Sequence, residues 1–138
     1  MPYFIGNVLE LPLTTIQDYS LFHILDDYSI SLWKTQIDLI MARHGLISFI
    51  THPDYLIEPR ARAVYKYLLT HLRSLREDGK VWSALPGEVD RWWRARSQMT
   101  LVDEGNEWRI DGPESHRARL AHAALEEGRV VYTLDAGA

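Results

Sequence analysis

Six residues, Leu46-Ile47-Ser48-Phe49-Ile50-Thr51, run apolar and β-branched between Gly45 and the group His52-Pro53-Asp54-Tyr55. A short apolar run bounded by breakers has the pattern of a strand buried on both faces. Pro53 cannot continue a central strand, so the pattern places His52 at the strand's carboxyl end. In open or barrel-shaped α/β folds that rim carries the chemistry. The rest of the chain is then expected to position this imidazole or to cover the sheet beneath it.

The flanking segments extend the same alternation. Gly6 to Thr15 reads as a strand with Val8–Leu11 at its centre, interrupted by Pro12. Thr14 to Tyr19 is polar and turn-like, which puts Asp18 just past a strand end. Tyr19 to Asp27 reads as a short helix or a loop. Ser29 is placed to cap a helix whose inner face is Ile30, Trp33, Ile37, Ile40 and Met41, with Gly45 as its stop. Pro59 suits the first turn of a second helix with Ala61, Val64, Leu68, Leu72 and Leu75 inward and Gly79 at its end. Val81–Leu85 reads as a third strand, and Pro86-Gly87 leads into a third helix with Val89 and Trp92 facing in, joined by Met99. Three strand-then-helix units predict a parallel sheet with right-handed crossovers.

Beyond residue 99 the pattern changes. Thr100 to Asp111 reads as a hairpin turning at Gly105-Asn106, and Val130, Tyr132 and Leu134 alternate as a last strand. Ser115 to Glu127 fits a helix by composition, or a strand feeding a hairpin at Glu126-Glu127-Gly128. The expected division is 1–99 for the α/β part and 100–138 for a β appendage.

Composition narrows the classes of function. The 138 residues carry a net charge of −4, against a general nucleic-acid binder. There is no cysteine, so neither a disulfide framework nor a thiolate metal site exists. No apolar run approaches the roughly 20 residues of a membrane span. The first residues lack the basic start and apolar core of a signal peptide, so a cytoplasmic chain without a membrane partner is expected.

His52 has two readings, a strand-end side chain capping backbone or a proton carrier. Asp18, Asp54, Arg60 and Arg62 all fall at or just after predicted strand ends, and a carboxylate beside an imidazole fixes its tautomer, which suits a general acid. His44 and His71 read as solvated residues near helix ends. His116 and His122 are separated by about 20 Å along a strand and lie on different faces of a helix, so they do not share an ion. Phe22 to Asp27 mixes His23 with Asp26 and Asp27, open to a metal reading or to a loop at the positive end of the next helix. Trp92-Trp93 reads as a sugar-stacking platform, or as one core ring with the other at the core's margin.

Four stretches in order resemble the C-terminal half of the polysaccharide deacetylase superfamily, metal-dependent carbohydrate esterases built on an irregular (β/α) barrel. They are Glu10-Leu11-Pro12-Leu13 with Gln17-Asp18-Tyr19; Ile50-Thr51-His52-Pro53; Arg60 and Arg62; and Val81 to Val89 running into Trp92-Trp93. The resemblance covers residues 8 to 96. It implies a partial barrel of three βα units with a parallel sheet and, after it, an antiparallel β appendage, and it favours the strand reading of Ser115 to Glu127. It implies His52 as the catalytic acid, Asp18 as its carboxylate, Arg60 or Arg62 as supporting charge, and Asp54, Tyr55 and Trp93 as sugar contacts.

The family's metal box, an early aspartate with an His-x-x-x-His pair, is missing from this sequence. The expectation is therefore half of an enzyme, with no metal of its own and a divalent ion such as zinc in the complete protein. Such a half is expected to self-associate or to pair with an N-terminal half. The competing expectation is a non-catalytic carbohydrate-binding or assembly module.

Overall fold

The computed structural model describes residues 1–105 and 107–135. Two compact units divide the chain, Met1–Ala84 and Leu85–Ala138. The first opens with a hairpin of β1 (Tyr3–Ile5) and β2 (Val8–Glu10), with Tyr3 opposite Glu10 and Ile5 opposite Val8. Gly6 makes the turn at φ +57°, a conformation costly for any residue with a Cβ. A loop then leads to a π-helical turn at Ser20–Ile24, helix α1 (Ser31–Met41), a stretch without regular structure, a 3-10 turn at Pro53–Leu56, and helix α2 (Pro59–Glu77).

Both helices form where apolar periodicity places them. Trp33 and Ile37, one turn apart on α1, are fully buried, and Ala61, Val64, Leu68 and Leu75 are buried along α2. Leu21 and Phe22 from the π-helical turn complete this core. Phe22 and Phe49 each meet the Trp33 ring edge-on, both at 5.9 Å between centroids.

The helix ends are closed by backbone bonds. Gly79 takes φ +68°, and the Lys80 N–H reaches the Leu75 carbonyl at 2.9 Å, so α2 stops at a left-handed glycine. At the end of α1 the left-handed residue is His44, φ +50°, and Gly45 comes after it, donating to the Ile40 carbonyl at 3.0 Å. Gly45 is required for space: a Cβ there would stand 2.8 Å from Cγ2 of Ile40. At the start of α1, Ile30 occupies the cap position, and Ser29 Oγ accepts the Ser31 N–H at 3.3 Å.

The expected parallel sheet is not there. Each of the three sheets has two strands, and every pairing among the described residues is antiparallel. Val8–Glu10 is a strand, but its partner is the preceding segment. Leu46–Thr51 has no regular secondary structure, and Val81–Leu85 is irregular chain leading into the next helix. A partial (β/α) barrel of three βα units is therefore excluded. The physical reason lies in Thr14, Thr15 and Ser48, whose hydroxyls take hydrogen-bonding places that a backbone ladder would fill.

The second unit begins with helix α3 (Pro86–Ser97). Pro86 suits its first position, and the Leu85 N–H is capped by Glu88 Oε2 at 2.7 Å. Val89, Trp92 and Met99 are half-buried, so the inward face of this helix is only partly covered. Strands β3 (Thr100–Asp103) and β4 (Trp108–Asp111) form the expected hairpin. Of its expected turn residues, Asn106 lies outside the described residues. After a 3-10 turn at Ser115–Arg117, β5 (Ala121–Glu126) and β6 (Arg129–Leu134) form a second hairpin. The helical alternative for Ser115 to Glu127 is thus excluded. Glu127 and Gly128 make its turn at φ +49° and +78°. Among the described residues, no helix is long and apolar enough to cross a membrane.

Candidate functional site

Two stretches, residues 12–18 and 46–52, run side by side in the same direction and hold the site between them. Thr14 Oγ1 donates to the Leu46 carbonyl at 2.8 Å and accepts the Ser48 N–H at 3.0 Å. Ser48 Oγ donates to the Pro12 carbonyl at 2.6 Å, and Thr15 Oγ1 donates to the Ser48 carbonyl at 2.7 Å. On the other side, α1 grips the first stretch: the Trp33 indole N–H donates to the Ile16 carbonyl at 2.8 Å, and Gln36 Oε1 accepts the Ile16 N–H at 3.0 Å. Each hydroxyl and amide is a short side chain placed to satisfy backbone that no sheet satisfies.

These bonds bring Asp18 and His52 together. Asp18 is fully buried, and its Oδ1 lies 2.7 Å from His52 Nδ1. The same oxygen accepts the Tyr19 N–H at 2.8 Å, while Oδ2 accepts the backbone N–H of His52. The carboxylate therefore fixes both the main chain and the ring of His52. A carboxylate on Nδ1 favours the neutral tautomer protonated there and leaves Nε2 as the acceptor nitrogen. The His52 side chain is 41% exposed, so the ring reaches the surface while its carboxylate partner is buried.

One ring packs beside His52, and two more pack against that one. Tyr55, whose N–H reaches back to the His52 carbonyl at 3.1 Å, has its ring centroid 5.0 Å from the imidazole. His23 meets Tyr55 edge-on at 4.6 Å, and Tyr19 lies 5.6 Å from His23 and 5.8 Å from Tyr55. Tyr19 is not among the expected site residues, and His23 enters only through the metal reading of Phe22 to Asp27. The signal was present in the spacing: four residues apart on a helical turn, they share a face, and Tyr19 follows Asp18 directly.

The other expected site residues lie elsewhere or do less. Asp54 is exposed on the 3-10 turn. Arg60 pairs with Glu58 and lays its guanidinium 3.5 Å from the centre of the Tyr28 ring. Partial desolvation pulls the Arg60 pKa down, but the hydrogen bond and charge of Glu58 outweigh it and leave the value raised. Desolvation, helped by Glu58 and opposed by the Arg60 charge, raises the Tyr28 phenol as well. Arg62 is exposed in the first turn of α2. Trp93 belongs to the second unit, where the Arg96 guanidinium lies 4.8 Å from its ring centre. Neighbouring Trp92 is covered in the same way by Arg117, at 4.2 Å.

His122 pairs with Asp135 at 2.8 Å and His116 approaches Glu114 at 3.9 Å, so each has its own carboxylate. Among the described residues no three of His, Asp and Glu gather to hold a metal ion. No protein-family model, curated protein or solved structure matches the chain.

Proposed function

We propose that His52, backed by Asp18, acts as the general acid in removing an N-acetyl group from a sugar, and that this chain supplies the proton-donating part of such a reaction. The observation that carries this reading is the buried Asp18 carboxylate 2.7 Å from Nδ1 of a partly exposed imidazole. As the C–N bond breaks, the departing amine takes a proton from His52 Nε2, and Asp18 stabilises the ring while it is charged. A positioned acid of this kind contributes about 10²–10⁴-fold. Water activation and charge stabilisation at the carbonyl oxygen are separate tasks, and a partner chain carrying His-x-x-x-His is the source this reading names for them.

The test is acetate release from N-acetylglucosamine oligomers by the chain mixed with such a partner. Substituting His52→Ala should lower the rate by about 10²–10⁴-fold. An unchanged rate in His52→Ala refutes the assignment of the acid. A second reading, a binding module on the same surface, is favoured by the ring cluster around His52. Oligomer binding without acetate release from the complemented pair selects it.

A further inference from the structure

We infer that the second hairpin pairs two copies of this chain, the apolar face of β5 and β6 in one lying against the same face in the other. The register of the hairpin puts Ala121, Ala123 and Leu125 opposite Leu134, Tyr132 and Val130, so these six side chains share one face. All six are exposed, Leu125 by 75%, Tyr132 by 69% and Val130 by 58%. The charged side chains of the two strands, Glu126 and Arg129, project from the opposite face, as does His122, which bonds Asp135 at 2.8 Å. A lone two-stranded hairpin is marginal in water and needs more strands or a second layer over its apolar side. Two hairpins packed face to face supply that layer as a four-stranded sandwich.

The relief of the face selects a second copy as the occupant. Ala121 and Ala123 form a trough on β5, and Tyr132 and Leu134 form a ridge beside it on β6. A two-fold axis parallel to the strands lays each β6 over the partner's β5. Tyr132 then enters the trough at the partner's Ala123, Leu134 meets the partner's Ala121, and Val130 meets the partner's Leu125. A two-fold axis across the strands would stack Tyr132 on the partner's Tyr132 and leave Ala123 facing the partner's Ala123, a clash beside a void. The face is thus complementary to itself in one orientation, as an isologous dimer requires. None of the six is charged, so a chain of net charge −4 brings no like charges to the centre of the contact. Three residues on each of two strands make a small interface, below about 1,200 Å² in total, so the pairing is weak and concentration-dependent.

The experiment is sedimentation of the full chain over a concentration series up to about 1 mM, with variants that alter the relief. The chain should pass from monomer to dimer and go no further. Tyr132→Ala flattens the ridge and Ala123→Tyr fills the trough, and each should weaken pairing about tenfold. Tyrosine favours a strand more than alanine does, so a melted hairpin does not explain a loss in Ala123→Tyr. The double variant exchanges ridge and trough and should return to within about threefold of the original chain. Ala124→Tyr adds the same ring to the opposite face and should pair as the original chain does. A monomer throughout the series overturns the proposal and leaves the face to a different partner. Unchanged pairing in both single variants overturns it, as does stronger pairing in Ala123→Tyr, the mark of unspecific apolar adhesion. A double variant no better than the single ones, or growth past the dimer, also overturns it.

Discussion

Replacing Asp18 by alanine tests whether this carboxylate holds the first unit together as well as serving the imidazole. Asp18 is fully buried and accepts three N–H groups, two from the backbone of Tyr19 and His52 and one from the His52 ring. Alanine removes every acceptor at once. Each buried donor left without a partner costs about 1–3 kcal/mol, and the two backbone groups cannot rotate away. The expected loss is about 3–5 kcal/mol, the size seen when one member of a buried pair is removed. His52→Ala deletes only the ring donor and keeps the backbone one. Its loss should be nearer 1.5–3 kcal/mol, roughly that of one hydrogen bond to a charged group. The two effects share a partner, so the double variant should lie within about 0.5 kcal/mol of Asp18→Ala alone. Urea unfolding followed at the Trp33 indole resonance gives all three values for the first unit. An Asp18→Ala variant within about 0.5 kcal/mol of the original chain, or less affected than His52→Ala, refutes the account.

Three other perturbations probe the frame around the site. Leu68 is almost fully buried between the helices, and Leu68→Ala should cost about 2–5 kcal/mol in the same unfolding measurement. Glu127 holds a left-handed conformation at φ +49° next to Gly128. Glu127→Asn should therefore steady the second hairpin by up to about 1 kcal/mol, read as slower amide exchange across β5 and β6. Tyr28 has a raised folded-state pKa, chiefly through desolvation. A raised value means that stability is intact below the phenol's unfolded pKa of about 10 and declines as pH rises through the folded one. Tyr28→Phe should remove its share of that alkaline decline, and tyrosinate absorbance should lose its late-titrating component.

The helices were legible because their signals are local. Trp33 and Ile37 on α1, and Ala61, Val64, Leu68 and Leu75 on α2, repeat at helical spacing and are the residues that become buried. The two C-terminal hairpins were legible for a similar reason, since alternation and turn residues lie within a few positions of each other. The sheet failed because an apolar run does not name its partner. Leu46–Thr51 has strand-like composition, yet its neighbour offers Thr14 and Thr15 hydroxyls where a ladder would need N–H and C=O groups in register. Strand preference mostly reflects a pleated, half-buried surface, and that surface is supplied by another part of the chain. Val81–Leu85 illustrates the same limit, with Trp82 and Leu85 left exposed. At the site, Asp18 and His52 could be picked out by chemical type. The Tyr55–His23 contact could not, because residues far apart in sequence meet there only through the fold.

The dyad forms although the sheet that was expected to carry it does not, and this follows from how it is anchored. A residue at the end of a strand is placed by its ladder, so losing the ladder ought to lose the residue. Here the placing groups are side chains: Thr14, Thr15 and Ser48 between the two stretches, and Trp33 and Gln36 from α1. Asp18 then performs the last step itself by binding the main chain and the ring of His52 together. Its Oδ1 also binds the Tyr19 N–H, so one buried carboxylate fixes His52 and the backbone that carries the first ring of the neighbouring cluster. Changes at Asp18 therefore alter stability and the setting of the His52 ring together, whereas Tyr19 and His23 are exposed and can be changed with less effect on the core. Substitutions at His52 that keep its backbone N–H separate the proton from the scaffold, because Oδ2 of Asp18 still holds the main chain where the ring was attached.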